Sequence, residues 1–173
     1  KICHSDEIWI RNGKRVNPMK KHAKHGGRIF RHCLPLCVIS PSAVMIQRDI
    51  FAEIGLFDEA LPACEDYDLW LRICAVHPVL YIDQPLIMKI GGHADQLSRR
   101  YWGMDRFRIQ ALEKLLATGV LGEQDHAAAL EALLEKLAIL IQGAVKRDNH
   151  ALLDLYRGKQ RKYSRLHCLA DSA

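Results

Sequence analysis

The order of apolar and polar positions along the chain sets its elements. Residues Ile2 to Ile10 read as a strand, and Asn12-Gly13-Lys14 is a tight-turn signal that returns the chain to Arg15-Val16. Pro18 to Arg31 is polar, basic and rich in His and Gly, which predicts a loop or flap. Cys37 to Ser40 is a short apolar run closed by Pro41; it reads as a buried strand, although length alone leaves a helix open. Ser42 to Ile46 is a second short apolar piece. Asp49 to Ile54 predicts a turn of helix stopped by Gly55, and Phe57 to Ala63 a loop. The clearest helix of the first half runs from Glu65 to Val76. Asp66, Leu69, Trp70 and Ile73 share one stripe, while Asp68 and Arg72 pair on the other side at i,i+4 spacing. Val79 to Ile82 is then a short strand, and Pro85 opens an edge strand through Ile90, broken by Gly91-Gly92.

Beyond Leu97 the pattern turns helical. Met104 to Ala117 carries Phe107, Ala111 and Leu115 at helical spacing, and Gly119 to Gly122 turns the chain. Gln124 to Val145 is a long periodic helix whose buried face is expected to hold Leu130, Leu133, Leu134, Leu137, Ile141 and Val145. Asn149 to Tyr156 predicts a further short helix, and Lys159 to Arg165 a basic, frayed end. A boundary near Ser98 divides an α/β part, residues 1–97, from an all-α extension, residues 98–173.

The 173 residues make one ordinary domain or a compact domain with an extension, and 49% hydrophobic with 26% charged residues excludes wholesale disorder. The most apolar run, Leu133 to Val145, is interrupted by Glu135 and Lys136, so no transmembrane segment is expected. Lys1, His4, Asp6 and Glu7 leave no apolar stretch for a signal peptide. The chain opens without Met in strand-like sequence, so its natural start is expected elsewhere. Six cysteines without pairing rhythm predict reduced thiols and a cytoplasmic location. The net charge of +5 is unevenly spread: no acidic residue stands between Ile8 and Gln47, and no Lys or Arg between Ala52 and Leu71. That asymmetry predicts a cleft with a basic wall and an acidic floor, fit for a phosphate-bearing ligand beside a carboxylate.

Glu65-Asp66 is the first candidate for chemistry. A hydroxyl is a poor nucleophile, and a reaction that uses one needs a carboxylate within hydrogen-bond reach to take its proton. Asp66 heads the apolar stripe, and a helix N-terminus favours its ionised form. The simpler reading is that either carboxylate only caps the helix. Asp66-Tyr67-Asp68 spells a D-x-D sequence, but two positions on a helix point to nearly opposite sides, so these two cannot share one cation. His93 follows two glycines, which let backbone approach a ligand closely; it reads either as a metal or diphosphate contact or as an exposed turn His. Trp70, on the buried stripe, is expected in the core. His22, His25, His32, Cys33 and Cys37 fit no closed tetrahedral zinc pattern. The basic loop has little aromatic interleaving beyond Phe30, which argues against nucleic acid.

The ordered set Ser-Pro-Ser-Ala-Val-Met-Ile-Gln-Arg-Asp-Ile-Phe from Ser40, Ile-Gly-Leu-Phe-Asp-Glu from Ile54 and Cys-Glu-Asp-Tyr-Asp-Leu-Trp-Leu-Arg from Cys64 resembles the acceptor half of a family 2 glycosyltransferase of GT-A architecture. The resemblance covers about residues 1–98 and implies a partial GT-A sheet with flanking helices. It also implies inverting transfer from a nucleotide-sugar donor to an acceptor hydroxyl on a sugar, glycan or lipid. It places the catalytic base at Asp66 with Glu65 as an acceptor-orienting neighbour, and an acceptor wall at Ser40, Ser42 and Asp58. His93 would contact the metal or diphosphate, and a divalent cation, Mg or Mn, is expected in the intact enzyme. The donor-binding half and its strand-loop D-x-D are missing, so the isolated chain is expected to be inactive. The alternative is a non-catalytic binding module derived from a transferase. A partial sheet is also expected to expose a face or edge that helices or a homo-oligomer would cover.

Overall fold

A computed structural model of the chain describes residues 1–17, 19–91 and 100–170. Gly92, His93 and Ser98 lie outside them. The chain divides into two compact units, Lys1–Trp102 and Gly103–Ala173.

The first unit is built on β1 (Ile2–Arg11), the central strand of a mixed four-stranded sheet. Asn12 and Gly13 both take positive φ, 50° and 73°, the two-residue turn that matches strand twist, and β2 (Lys14–Val16) returns antiparallel with Arg11 opposite Lys14. β3 (Val44–Ile46) pairs antiparallel with the start of β1, His4 opposite Val44. β4 (Leu80–Gly91) pairs parallel with β1 from Cys3 to Arg11. Because β4 fills that whole edge, β2 and β3 share the other. The two strands expected around Pro85 are thus one. Register shifts between Ser5 and Glu7 bulge β4 and absorb the proline, which has no N–H for a regular ladder. On β4, Leu80, Leu86, Met88 and Ile90 are exposed.

Three helices belong to this unit: α1 (Phe30–Cys33), α2 (Asp49–Ile54) and α3 (Glu65–Val76). Gly55 stops α2 at φ 91°. The expected strand over Cys37 to Ser40 is an irregular segment instead. It is buried by Val38, Ile39 and Ser40, and its place on the edge of β1 is taken by Val44–Ile46 after a 3-10 turn at Pro41–Ala43. The basic stretch is not a featureless loop either, since it holds a 3-10 turn at Lys20–His22 and ends in α1. α3 is buried nearly all round: Tyr67, Asp68, Leu69, Trp70, Leu71 and Ile73 are each at most 1% exposed. Asp68 is therefore a buried ion-pair partner and not a solvated one. Its Oδ2 accepts from Arg72 Nε at 3.0 Å and Nη2 at 2.8 Å, while Arg72 also donates to the Ile54 and Leu56 carbonyls. One guanidinium thus ties α3 to the end of α2. The thiols of Cys33 on α1 and Cys74 on α3 touch at 3.9 Å, and Cys3, Cys33, Cys37, Cys64 and Cys74 form no disulfide.

The polar centre of the unit is Glu7, whose side chain is 2% exposed. Its Oε1 accepts from Trp9 Nε1 at 2.8 Å and Ser40 Oγ at 3.0 Å, and faces Lys24 Nζ at 3.4 Å and Lys89 Nζ at 3.8 Å. Burial opposes the charge on Glu7, but Lys24, Lys89 and the two hydrogen bonds outweigh it and hold the carboxyl below its ordinary range. Nearby, His4 is buried on β1 and its Nε2 lies 2.9 Å from the His25 carbonyl, so it is the donor there. Burial, reinforced by the Lys24 charge, pushes His4 below its ordinary 6.5 despite that hydrogen bond.

The second unit holds α4 (Asp105–Ala117), α5 (Glu123–Lys146) and α6 (His150–Ala170). Leu130, Leu133 and Leu137 face the core as expected, but Val145 is 54% exposed and Leu140 and Ala144 are buried in its place. The last stretch is not frayed. α6 continues through Lys159 to Arg165, because Tyr156 and Tyr163 are buried and Lys159 Nζ pairs with Glu113 of α4 at 2.6 Å. No helix among the described residues is long and apolar enough to cross a membrane.

Two stability measurements check these contacts. Glu7→Gln strands the Lys24 ammonium in the interior, and urea unfolding should show a loss of about 3–5 kcal/mol, partly restored by adding Lys24→Met. His4 has its folded pKa lowered, so the stability it contributes is present above about pH 6.5 and lost as pH falls below that value. Melting temperature should drop over that window, and His4→Gln should flatten the drop.

Candidate active site at the start of α3

The N-cap side chain of α3 makes no capping hydrogen bond. That residue is Cys64, held in the left-handed region at φ 64° and ψ 21°. That conformation costs a non-glycine residue on the order of 1–2 kcal/mol, and such strain collects at functional sites. It swings the first turn so that Glu65 and Asp66 emerge half-buried at its rim.

The two oxygens of Asp66 have separate partners. Oδ1 accepts the Tyr67 amide at 2.7 Å, one of the first-turn donors that no helical carbonyl satisfies. Oδ2 accepts the Cys37 thiol at 3.3 Å. The capping reading is therefore right for one oxygen and leaves the second facing only a weak donor. Cys37 in turn lies 3.2 Å from the Ile39 carbonyl, so the irregular buried segment 37–40 supports the carboxylate. Burial, and then the Asp66 charge and hydrogen bond, push the Cys37 thiol well up, which keeps it protonated. The Glu65 carboxyl carries a buried Oε2 that finds no hydrogen-bond partner among the described residues. Tyr67 fixes the helix start from below by donating from its hydroxyl to the Leu34 carbonyl at 2.6 Å.

Most of the remaining candidates lie on other segments of the first unit. Ser40 is buried, and its hydroxyl both donates to Glu7 and accepts from Lys89 Nζ at 2.9 Å. Ser42 is exposed on the 3-10 turn. Asp58 folds its own loop, since its Oδ1 accepts the Ala60 amide at 2.9 Å. His93 lies outside the described residues. Trp70 is in the core, with Phe57 edge-on at 6.5 Å. Asp66 and Asp68 diverge to Cys37 and Arg72, and among the described residues no group of three or more His, Cys, Asp or Glu converges to hold a metal ion. Sequence reading missed Cys37 as a neighbour of Asp66 and Glu7 as the hub behind Ser40; a spacing of 29 residues and a lone Glu in a strand give no local signal of either contact.

Comparison with known proteins adds a direction. Over 69 residues the chain is 39% identical to an uncharacterized glycosyltransferase of Rickettsia felis, a match covering 39% of this chain and 11% of that protein. Uncharacterized glycosyltransferases of Rickettsia conorii and Rickettsia prowazekii match at 36% over 69 residues and 33% over 81. The kinship is with glycosyltransferases. The matched stretch spans 11% of the Rickettsia conorii protein and 25% of the Rickettsia prowazekii one. No protein-family description and no solved structure matches the chain.

The coupling of Cys37 to Asp66 is open to direct measurement. Asp66→Asn removes the charge that disfavours the Cys37 thiolate, so site-resolved alkylation of Cys37 near pH 8 should speed up by roughly threefold or more. An unchanged rate would mean that the two groups do not interact in solution.

Proposed function

We propose that this chain is the acceptor-side part of a GT-A, family 2 type glycosyltransferase, with Asp66 as the base. The reading is supported by the partial kinship with glycosyltransferases and, above all, by the half-buried Asp66 carboxylate at the head of α3. Its Oδ1 is steadied by a backbone amide and its Oδ2 carries only a thiol hydrogen bond, which leaves lone-pair capacity for a hydroxyl. In the step, the acceptor oxygen attacks the anomeric carbon from the face opposite the departing nucleoside diphosphate. The new C–O bond forms as the bond to the diphosphate oxygen breaks, configuration inverts, and the hydroxyl proton passes to Asp66.

Glu65, next along the rim, orients the acceptor, and Ser42 and Asp58 border the approach. Ser40, already engaged by Glu7 and Lys89, acts as an anchor of that wall. The divalent cation of such enzymes does not fit the described carboxylates, which diverge. His93 remains proposed as the diphosphate or metal contact. Since the matched relatives extend far beyond the aligned stretch, donor binding is assigned to sequence outside this chain.

In a transferase carrying this segment, Asp66→Asn should lower kcat by about 10²–10⁴-fold, read as nucleoside diphosphate release from a panel of nucleotide-sugars. Donor Kd should stay within about twofold, and retained turnover would remove Asp66 from the mechanism. The 173-residue chain by itself should turn over no nucleotide-sugar. Robust turnover by it would overturn the division of labour.

A further inference from the structure

A cavity of about 260 Å³ opens in the first unit between the basic stretch and α1. Four cationic or titratable side chains line it: Lys20, His25, Arg31 and His32. The sequence carries no acidic residue between Ile8 and Gln47, so every charged side chain these segments contribute is basic. The remaining wall includes Pro35, Leu36 and Val38. A cationic rim over an apolar floor fits an anion attached to a hydrocarbon portion.

The rim is pinned at consecutive points. Lys24 is drawn inward to Glu7 at 3.4 Å, and the His25 carbonyl is held by His4 at 2.9 Å. Gly27 exchanges backbone hydrogen bonds with Val79 at 2.7 and 2.9 Å. Gly26 passes so close to β4 that an added Cβ would come within 3.1 Å of the Tyr81 Cβ. With the backbone fixed on both sides, the His25 ring stacks on His32 of α1, centroids 4.0 Å apart and planes 14° from parallel. The stacked pair therefore joins the loop to the helix, and it does so beside two permanent cations.

We propose that this cavity binds a phosphoryl group carrying a short apolar substituent, that is, a phosphate ester. Arg31 and Lys20 supply charge, the Arg guanidinium offering the paired donors that match phosphate oxygens. The imidazoles add N–H donors, and Pro35, Leu36 and Val38 receive the carbon portion. The volume is below the usual range of about 300–1,000 Å³ for drug-sized ligands, which suits a phosphoryl group and a few carbons and not an entire nucleotide. This site stands whether or not Asp66 is a base, because none of its residues belongs to the start of α3.

The test is an NMR titration of the 173-residue chain, following the His25 and His32 ring signals with inorganic phosphate and with hexyl phosphate. Both should shift these signals saturably, and hexyl phosphate should bind about tenfold or more tighter, since several methylenes leave water. Arg31→Glu should weaken hexyl phosphate by about tenfold or more, Arg31→Gln by less, and Arg48→Glu, outside the cavity, hardly at all. Co-sedimentation with phosphatidylcholine vesicles, with and without phosphatidic acid, separates the two sources of the ester. Capture only by the acidic vesicles marks a lipid headgroup, and its absence beside saturable hexyl phosphate binding marks a soluble ester. No saturable shift, equal affinity for the two phosphates, or equal weakening by the Arg31 and Arg48 variants would overturn the proposal. Thermal melts of each variant confirm that it is folded.

Discussion

The first unit depends on one buried carboxylate. Glu7 sits midway along the central strand, and its Oε1 gathers Trp9 from the same strand, Lys24 from the basic stretch, Ser40 from the segment before β3 and Lys89 from β4. A buried charge in water-poor surroundings is tolerable only when it is paired and hydrogen-bonded, so the carboxylate dictates where each of its partners must lie. The irregular stretches 19–29 and 37–40, which have no ladder of their own, acquire fixed places through it.

Those places matter for chemistry. Segment 37–40 reaches from the Cys37 thiol under Asp66 to the Ser40 hydroxyl on Glu7, so the support of the candidate base and the polar hub are two ends of one short peptide. On the opposite side of α3, Asp68 and Arg72 lock the helix to the end of α2. The helix is thus clamped on one flank by an ion pair, while Glu65 and Asp66 of its first turn are only half-buried.

What was legible in the sequence was local. The Asn12-Gly13 turn, the limits of α3, the Gly55 stop and the burial of Trp70 follow from residue chemistry within a few positions, and the structure has them. The tertiary contacts were not. Glu7 beside Asp6 looks like ordinary strand polarity until Lys24 arrives from a loop without periodicity. A cysteine carries no left-handed preference, so the strained Cys64 is invisible before the helix it precedes is seen. The basic run from Lys159 looks like a helix fraying into solvent, yet Tyr163 and the Glu113 partner of Lys159 keep it wound. Pro85 suggested an interruption that a bulge removes.

The contact between Cys33 and Cys74 carries one more lesson. Their sulfurs are 3.9 Å apart, roughly twice the length of the covalent link they could form, and the Cys33 thiol is pushed far up by its hydrogen bond to Cys74 and by burial. Exchange requires a thiolate, and the packing that brings the pair together withholds it. Nearness here confers inertness: a cross-link between α1 and α3 would have to be made while the interior is open to oxidant. Its presence in a purified sample would record the chain's history of opening and not the redox state of its surroundings.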